Sequence, residues 1–240
     1  MTKYLLFDLD GTLLPLDTDQ FVPSYIKSIT RYFSRLLEPS FFAQQLMASS
    51  YAMINNLDPE HTNEQKFMND FFAKIGRDQA ELFPLFQDYY ERHYQEVRQI
   101  VRPSPLARQL VEAALKRGMR VVLATNPVFP REAIEQRMQW AGIADLPWEL
   151  VTTYEDAHFC KPNSEYYAEI LERLGAKPQE CLHIGNDMEE DLAATDIGIR
   201  VVMVDDCLIS SPKRSLSTCH FSGSLASVAQ WMENNRELAD

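Results

Sequence analysis

Five short runs rich in aliphatic side chains, Tyr4 to Leu9, Arg120 to Thr125, Leu150 to Thr153, Cys181 to Gly185 and Ile199 to Val204, set the strongest constraint on the fold. Each is strand length, and helical stretches starting near Ser104-Pro105, Pro130, Asn163 and Met188 punctuate the later part of the chain. Strand and helix in alternation form the βαβ pattern, which predicts an α/β protein built on a parallel sheet. Open parallel sheets bind ligands beyond the carboxyl ends of their strands, so the residues after each run matter most. They are polar: Asp8 and Asp10 after the first run, Thr125 and Asn126 after the second, and Asn186, Asp187 and Asp191 after the fourth.

The stretch between the first run and the second has a different texture. From Leu16 to about Val101, Phe21, Tyr25, Ile29 and Phe33 recur at helical spacing, as do Phe67, Phe71 and Ile75, and about four helices are expected. Between Gly11 and Gly118 the only glycine is Gly76. Of the 26 aromatic residues, 15 lie between Phe21 and Tyr94, a density that at helical spacing reads first as core. Thr62 with Gln65 has the form of a capping box, and Pro59, Gly76 and Pro84 are expected to flank helices.

Composition serves mainly to exclude. With 45% hydrophobic and 24% charged residues the 240-residue chain reads as globular, and a net charge of −12 disfavours binding to nucleic acid or anionic lipid. No apolar run approaches the roughly 20 residues that cross a bilayer, and Met1-Thr2-Lys3 leads straight into the first strand without a signal-peptide pattern. Cytoplasmic location, with no membrane partner, is the expectation. Cys160, Cys181, Cys207 and Cys219 form no C-x-x-C pair, and the five histidines are scattered, so free thiols are expected rather than disulfides or zinc.

The run Leu5-Leu6-Phe7-Asp8-Leu9-Asp10-Gly11-Thr12-Leu13 places two carboxylates, two residues apart, on the same side of a strand end. They repel unless a cation or shared proton intervenes, and a divalent metal resolves the conflict. Gly11 permits an unusual turn directly after them. This D-x-D-G-T-L segment resembles the first motif of the haloacid dehalogenase superfamily, and three further segments resemble the other motifs in order. They are Val121 to Asn126, Lys161-Pro162, and Leu182-His183-Ile184-Gly185-Asn186-Asp187 running on to Asp191.

The resemblance implies a doubly wound, Rossmann-type parallel sheet with a smaller all-helical cap of the C1 type inserted after the first motif. Residues 1–15 and 103–240 would form the catalytic core and 16–102 the cap, hinged near Leu14-Pro15 and Arg102-Pro103. It further implies a Mg²⁺-dependent phosphatase acting on a small phosphorylated metabolite. Asp8 would be the nucleophile that forms an aspartyl-phosphate, and Asp10 the acid-base catalyst. Thr125, Asn126 and Lys161 would hold the phosphate. The metal would sit on Asp8, the backbone carbonyl of Asp10, and one residue of the fourth motif. That motif reads Gly185-Asn186-Asp187 where the family commonly has Gly-Asp, so Asp187 or Asn186 could serve, with Asp187 chosen. Asp191 would hold the loop and Lys161 in place, while Glu189 and Glu190 are expected to face solvent in the first turn of a helix. A phosphomutase would use the same Asp8 and Asp10, and a catalytically silent ligand-binding protein would keep the scaffold without turnover. A carbon–halogen hydrolase is disfavoured, because the family's dehalogenases lack the second aspartate.

Overall fold

The computed structural model describes residues 2–235. Six parallel strands, β1 (Tyr4–Phe7), β2 (Arg120–Leu123), β3 (Trp148–Val151), β4 (Cys181–Gly185), β5 (Arg200–Val204) and β6 (Phe221–Gly223), form one sheet in the order β3-β2-β1-β4-β5-β6. The sheet is wound on both faces, and the alternation of side chains along each strand accounts for the division. Leu5, Phe7, Val121, Leu123, Leu182 and Ile184 face one apolar layer, while Tyr4, Leu6, Val122 and Cys181 face another. Helices α5 (Pro105–Lys116), α6 (Arg131–Trp140) and α8 (Leu225–Asn234) supply the first layer, and α7 (Ser164–Leu174) the second.

Four helices, α1 (Thr18–Phe33), α2 (Pro39–Asn55), α3 (Asn63–Ile75) and α4 (Gln79–Asp88), lie between β1 and β2 and form the smaller, all-helical cap. A π-helical turn (Tyr89–His93) and a 3₁₀ helix (Tyr94–Ile100) complete the segment. Helix α1 buries Phe21, Tyr25, Ile29 and Phe33, the four-residue stripe read from its sequence. Thr62 and Gln65 form the capping box, and Gly76 closes α3 in the left-handed conformation (φ 62°) that favours glycine. The aromatic density is core: Phe33 lies 4.9 Å from Phe42 and 4.6 Å from Phe86, ring centre to ring centre.

The structure departs from the sequence expectation in four places. Pro84 lies inside α4 rather than flanking it, where its ring leaves one carbonyl of the preceding turn without its usual donor. Strand β3 begins and ends two residues early, at Trp148 and Val151, and its pairing with β2 shifts register between Val121 and Val122. Strand β6 falls outside the five runs that the sequence marks, since three residues at a sheet edge carry no periodic signal. After β4 the chain makes turns and then a 3₁₀ helix (Leu192–Ile197) instead of an α-helix near Met188.

Cap and core share one continuous apolar cluster, with Phe21 and Tyr25 of α1 edge-on to Phe129 in the loop after β2 (6.3 and 5.1 Å). The amino end of α3 is tied down as well. The backbone N–H groups of Asn63 and Glu64 donate to the carbonyls of Ala157 and Tyr154 (both 2.8 Å), and the Asn63 side chain donates to Phe159 (3.1 Å) and Pro127 (3.3 Å). Helix α3 thereby satisfies its unpaired first-turn donors with core carbonyls.

Candidate active site

Strand order reverses between β1 and β4, since the chain proceeds outward from β1 in one direction and from β4 in the other. The crevice beyond their carboxyl ends is where such sheets place ligands. A cavity of about 230 Å³ opens there, lined by Asp8, Asp10, Thr125, Asn126 and Asp187 among others.

Behind the cavity lies a buried charge network. Lys161 is fully enclosed and its Nζ donates to Asp8 Oδ1 (2.8 Å) and Asp191 Oδ1 (2.7 Å). Asp191 also accepts from His183 Nε2 (2.8 Å) and, at Oδ2, from the backbone N–H groups of Asn186 and Asp187 (both 2.9 Å). Burial alone would raise the Asp191 carboxyl, but the Lys161 ammonium and the His183 hydrogen bond hold it below the ordinary range. Asp8 shifts the other way: burial pushes it up more than Lys161 pulls it down, with Asp191 and Asp10 adding to the rise. Burial also lowers His183, opposed by its hydrogen bond to Asp191.

The loop after β4 is shaped by close packing. Asn186 accepts from Thr12 Oγ1 (2.9 Å) and donates to the Cys207 carbonyl (2.7 Å), so both ends of its amide are engaged. A Cβ on Gly11 would stand 2.2 Å from Asn186 Nδ2, and one on Gly185 would stand 2.2 Å from Asp191 Cγ. Asp187 Oδ1 accepts from the N–H groups of Glu189 (2.7 Å) and Glu190 (3.0 Å), and among the described residues Oδ2 accepts no hydrogen bond. Asn126 clamps the neighbouring loop, accepting from the Lys161 N–H (3.2 Å) and donating to Glu190 Oε1 (2.8 Å). Glu190 thus lines the cavity instead of facing solvent, because the turn that replaces the expected helix directs it inward, and burial pushes its carboxyl up to about 8. Glu189 is partly exposed and reaches outward to Lys213 (2.5 Å).

Sequence reasoning missed one partner altogether. Arg137 of α6 is 0% exposed, and its guanidinium pairs with Asp10 Oδ2 while lying 4.4 Å from the Phe129 ring centre. The signal was present, since Arg137 falls on the buried stripe of α6 with Ala133, Ile134 and Met138. Asp10 Oδ1 is buried and has no hydrogen-bond partner among the described residues. Burial raises the Asp10 carboxyl, with Arg137 and then Lys161 opposing.

A comparison with protein families matches residues 2–198 to the haloacid dehalogenase-like hydrolases. The chain belongs to that family. Among curated relatives, pyrophosphatase PpaX of Bacillus mycoides is 22% identical over 201 residues, covering 83% of this chain and 82% of its own. Among solved structures, the haloacid dehalogenase family phosphatase of Thermococcus onnurineus superposes with a TM-score of 0.60 at 17% identity, covering 98% of this chain and 100% of that one. The family hydrolase YfnB of Bacillus subtilis, crystallised with magnesium, gives 0.56 at 17% identity over 98% and 99%. At these identities the structural likeness speaks for the fold.

Proposed function

We propose that this family member is a Mg²⁺-dependent phosphatase that hydrolyses a phosphate monoester through an aspartyl-phosphate on Asp8. The observation that carries the reading is the asymmetric environment of Asp8. Lys161 holds Oδ1, Oδ2 accepts no hydrogen bond among the described residues, and Asp8 lines the cavity, the arrangement a carboxylate needs to attack phosphorus. In this reading residues 16–102 are the cap, 1–15 and 103–240 the catalytic core; residue 1 and residues 236–240 lie outside the described residues.

The donor set suits the metal. Among the described residues no three acidic, histidine or cysteine side chains form a ready cluster, whereas Mg²⁺ takes one or two carboxylates and fills its shell with water and substrate oxygens. Asp8 and Asp187 line one cavity, and burial raises both, so a cation between them offsets the unfavourable charge. The committed amide of Asn186 and the free Oδ2 of Asp187 support Asp187 as the ligand. When bound, Mg²⁺ screens the phosphoryl charge and orients the group for in-line attack.

The chain's own residues do the rest. Asp8 attacks phosphorus, and Lys161 with the Thr125 hydroxyl meets the charge on the phosphoryl oxygens. Asp10 gives a proton to the departing oxygen and later takes one from water. Its buried, unpartnered Oδ1 is the atom suited to that exchange, because Oδ2 is engaged by Arg137. Asp191 fixes Lys161 and the loop after β4, and the Asn126 amide orders the Lys161 loop. A screen of phosphorylated metabolites tests the reading: phosphate release should appear with Mg²⁺ and disappear in EDTA. Undiminished release in chelator would contradict it.

A further inference from the structure

The cavity has two unlike sides. Beside the polar residues of the strand ends stands an apolar wall made by Leu16, Phe21, Val22 and Ile54 of the cap and by Val128 and Phe129 of the loop after β2. Among the described residues, Thr18 is the one polar cap residue on it. Among the described residues, no lysine or arginine lines the cavity. The two buried cations beside it sit at the strand-end carboxylates and not on the cap wall, Lys161 with Asp8 and Asp191, and Arg137 with Asp10 against the Phe129 ring. Just outside, Asp17, Asp19, Asp205 and Asp206 with Asp187 line an adjoining depression of about 720 Å³. Its acidic rim repels anions on approach. The inner cavity is small: about 230 Å³ lies below the roughly 300 Å³ at which pockets for drug-sized ligands begin.

From this we infer, on the phosphatase reading above, that the preferred substrate is the phosphate ester of a small, uncharged and largely apolar alcohol, and that a second anionic group on the substrate is selected against. In that reading one phosphoryl group is met by Lys161 behind Asp8, the Thr125 hydroxyl and the metal. A carboxylate or second phosphate on the leaving group would face the cap wall with no cation of the protein to pair it, and burying an unpaired anion is strongly unfavourable. A hydrocarbon leaving group gains by the same contact. The wall therefore discriminates mainly by what it refuses.

The test compares kcat/KM of the full chain, in Mg²⁺, for isobutyl phosphate and for 2-phosphoglycolate, whose leaving groups are both alkoxides and differ in the carboxylate. Pyrophosphate and adenosine 5′-monophosphate complete the set. Isobutyl phosphate should exceed 2-phosphoglycolate and pyrophosphate by at least about tenfold, and should also exceed the bulkier nucleotide. Val22→Arg and Ile54→Lys, on different helices, each place a cation on the wall and should shrink the ratio of isobutyl phosphate to 2-phosphoglycolate at least about threefold. Equal or faster turnover of 2-phosphoglycolate or pyrophosphate by the unaltered chain would overturn this inference and leave the phosphatase reading standing. Preference for the nucleotide would overturn its size limit. Failure to release phosphate from any ester would overturn both.

Discussion

At the scale of single residues, the Asp10–Arg137 pair links chemistry to stability. Arg137 has no solvent to return to, whereas the Asp10 side chain keeps 26% of its surface exposed, so Arg137 depends on the pair more than Asp10 does. Asp10→Asn leaves a buried guanidinium without its counter-ion, and removing one partner of such a pair costs about 3–5 kcal/mol. Denaturant unfolding should therefore find Asp10→Asn clearly less stable, and Asp10→Asn with Arg137→Met more stable than Asp10→Asn alone. If the double variant is the less stable, the pair is not coupled as described. Loss of activity in Asp10→Asn must accordingly be measured on folded protein. The strand-end residues Asp8, Asp10, Thr125 and Asp187 could be read from the sequence because position at a strand end is a local property, and one sheet gathers them at one cavity. Arg137, His183 and Glu190 could not be read in the same way. Their surroundings come from α6, the buried centre of β4 and an inward turn, and each depends on contacts distant in sequence.

At the scale of elements, the cap helices were legible where periodicity and capping agree, as in α1 and α3. The tie between α3 and the core was not, because the carbonyls that receive Asn63 belong to loops about 60 to 100 residues away. That tie bears on how firmly the cap is held to the core. The two chain crossings lie side by side, with the Arg102 N–H donating to the Pro15 carbonyl (3.4 Å), but the amino end of α3 is a third attachment. Asn63→Ala removes two hydrogen bonds from a fully buried side chain and should destabilise the protein by about 1–3 kcal/mol. Hydrogen exchange should rise most in the first turn of α3. Unchanged protection there would show that the backbone bonds alone hold the helix down.

At the scale of the whole molecule, the aromatic cluster that fills the cap continues without a break into the layer on one face of the sheet. Excising the cap would uncover Phe129 and Trp140, which Tyr25 and Tyr94 now cover. The two parts are thus distinct in architecture but joined in their packing. Thermal or denaturant unfolding should follow one cooperative transition, coincident by far-ultraviolet dichroism and by tryptophan fluorescence, since Trp140, Trp148 and Trp231 all lie in that layer. Two resolved transitions would mean that cap and core unfold separately.

The central claim is that Asp8 is the nucleophile, and one measurement addresses it most directly: phosphate release by Asp8→Asn in saturating Mg²⁺, on protein whose melting transition shows that it is folded. The amide keeps the shape of the side chain and loses its negative charge. Turnover should fall by roughly four orders of magnitude or more, the scale set by removal of a nucleophile in other hydrolases. A variant that keeps more than about a tenth of the unaltered rate would contradict the account, because no covalent step at Asp8 could then carry the reaction.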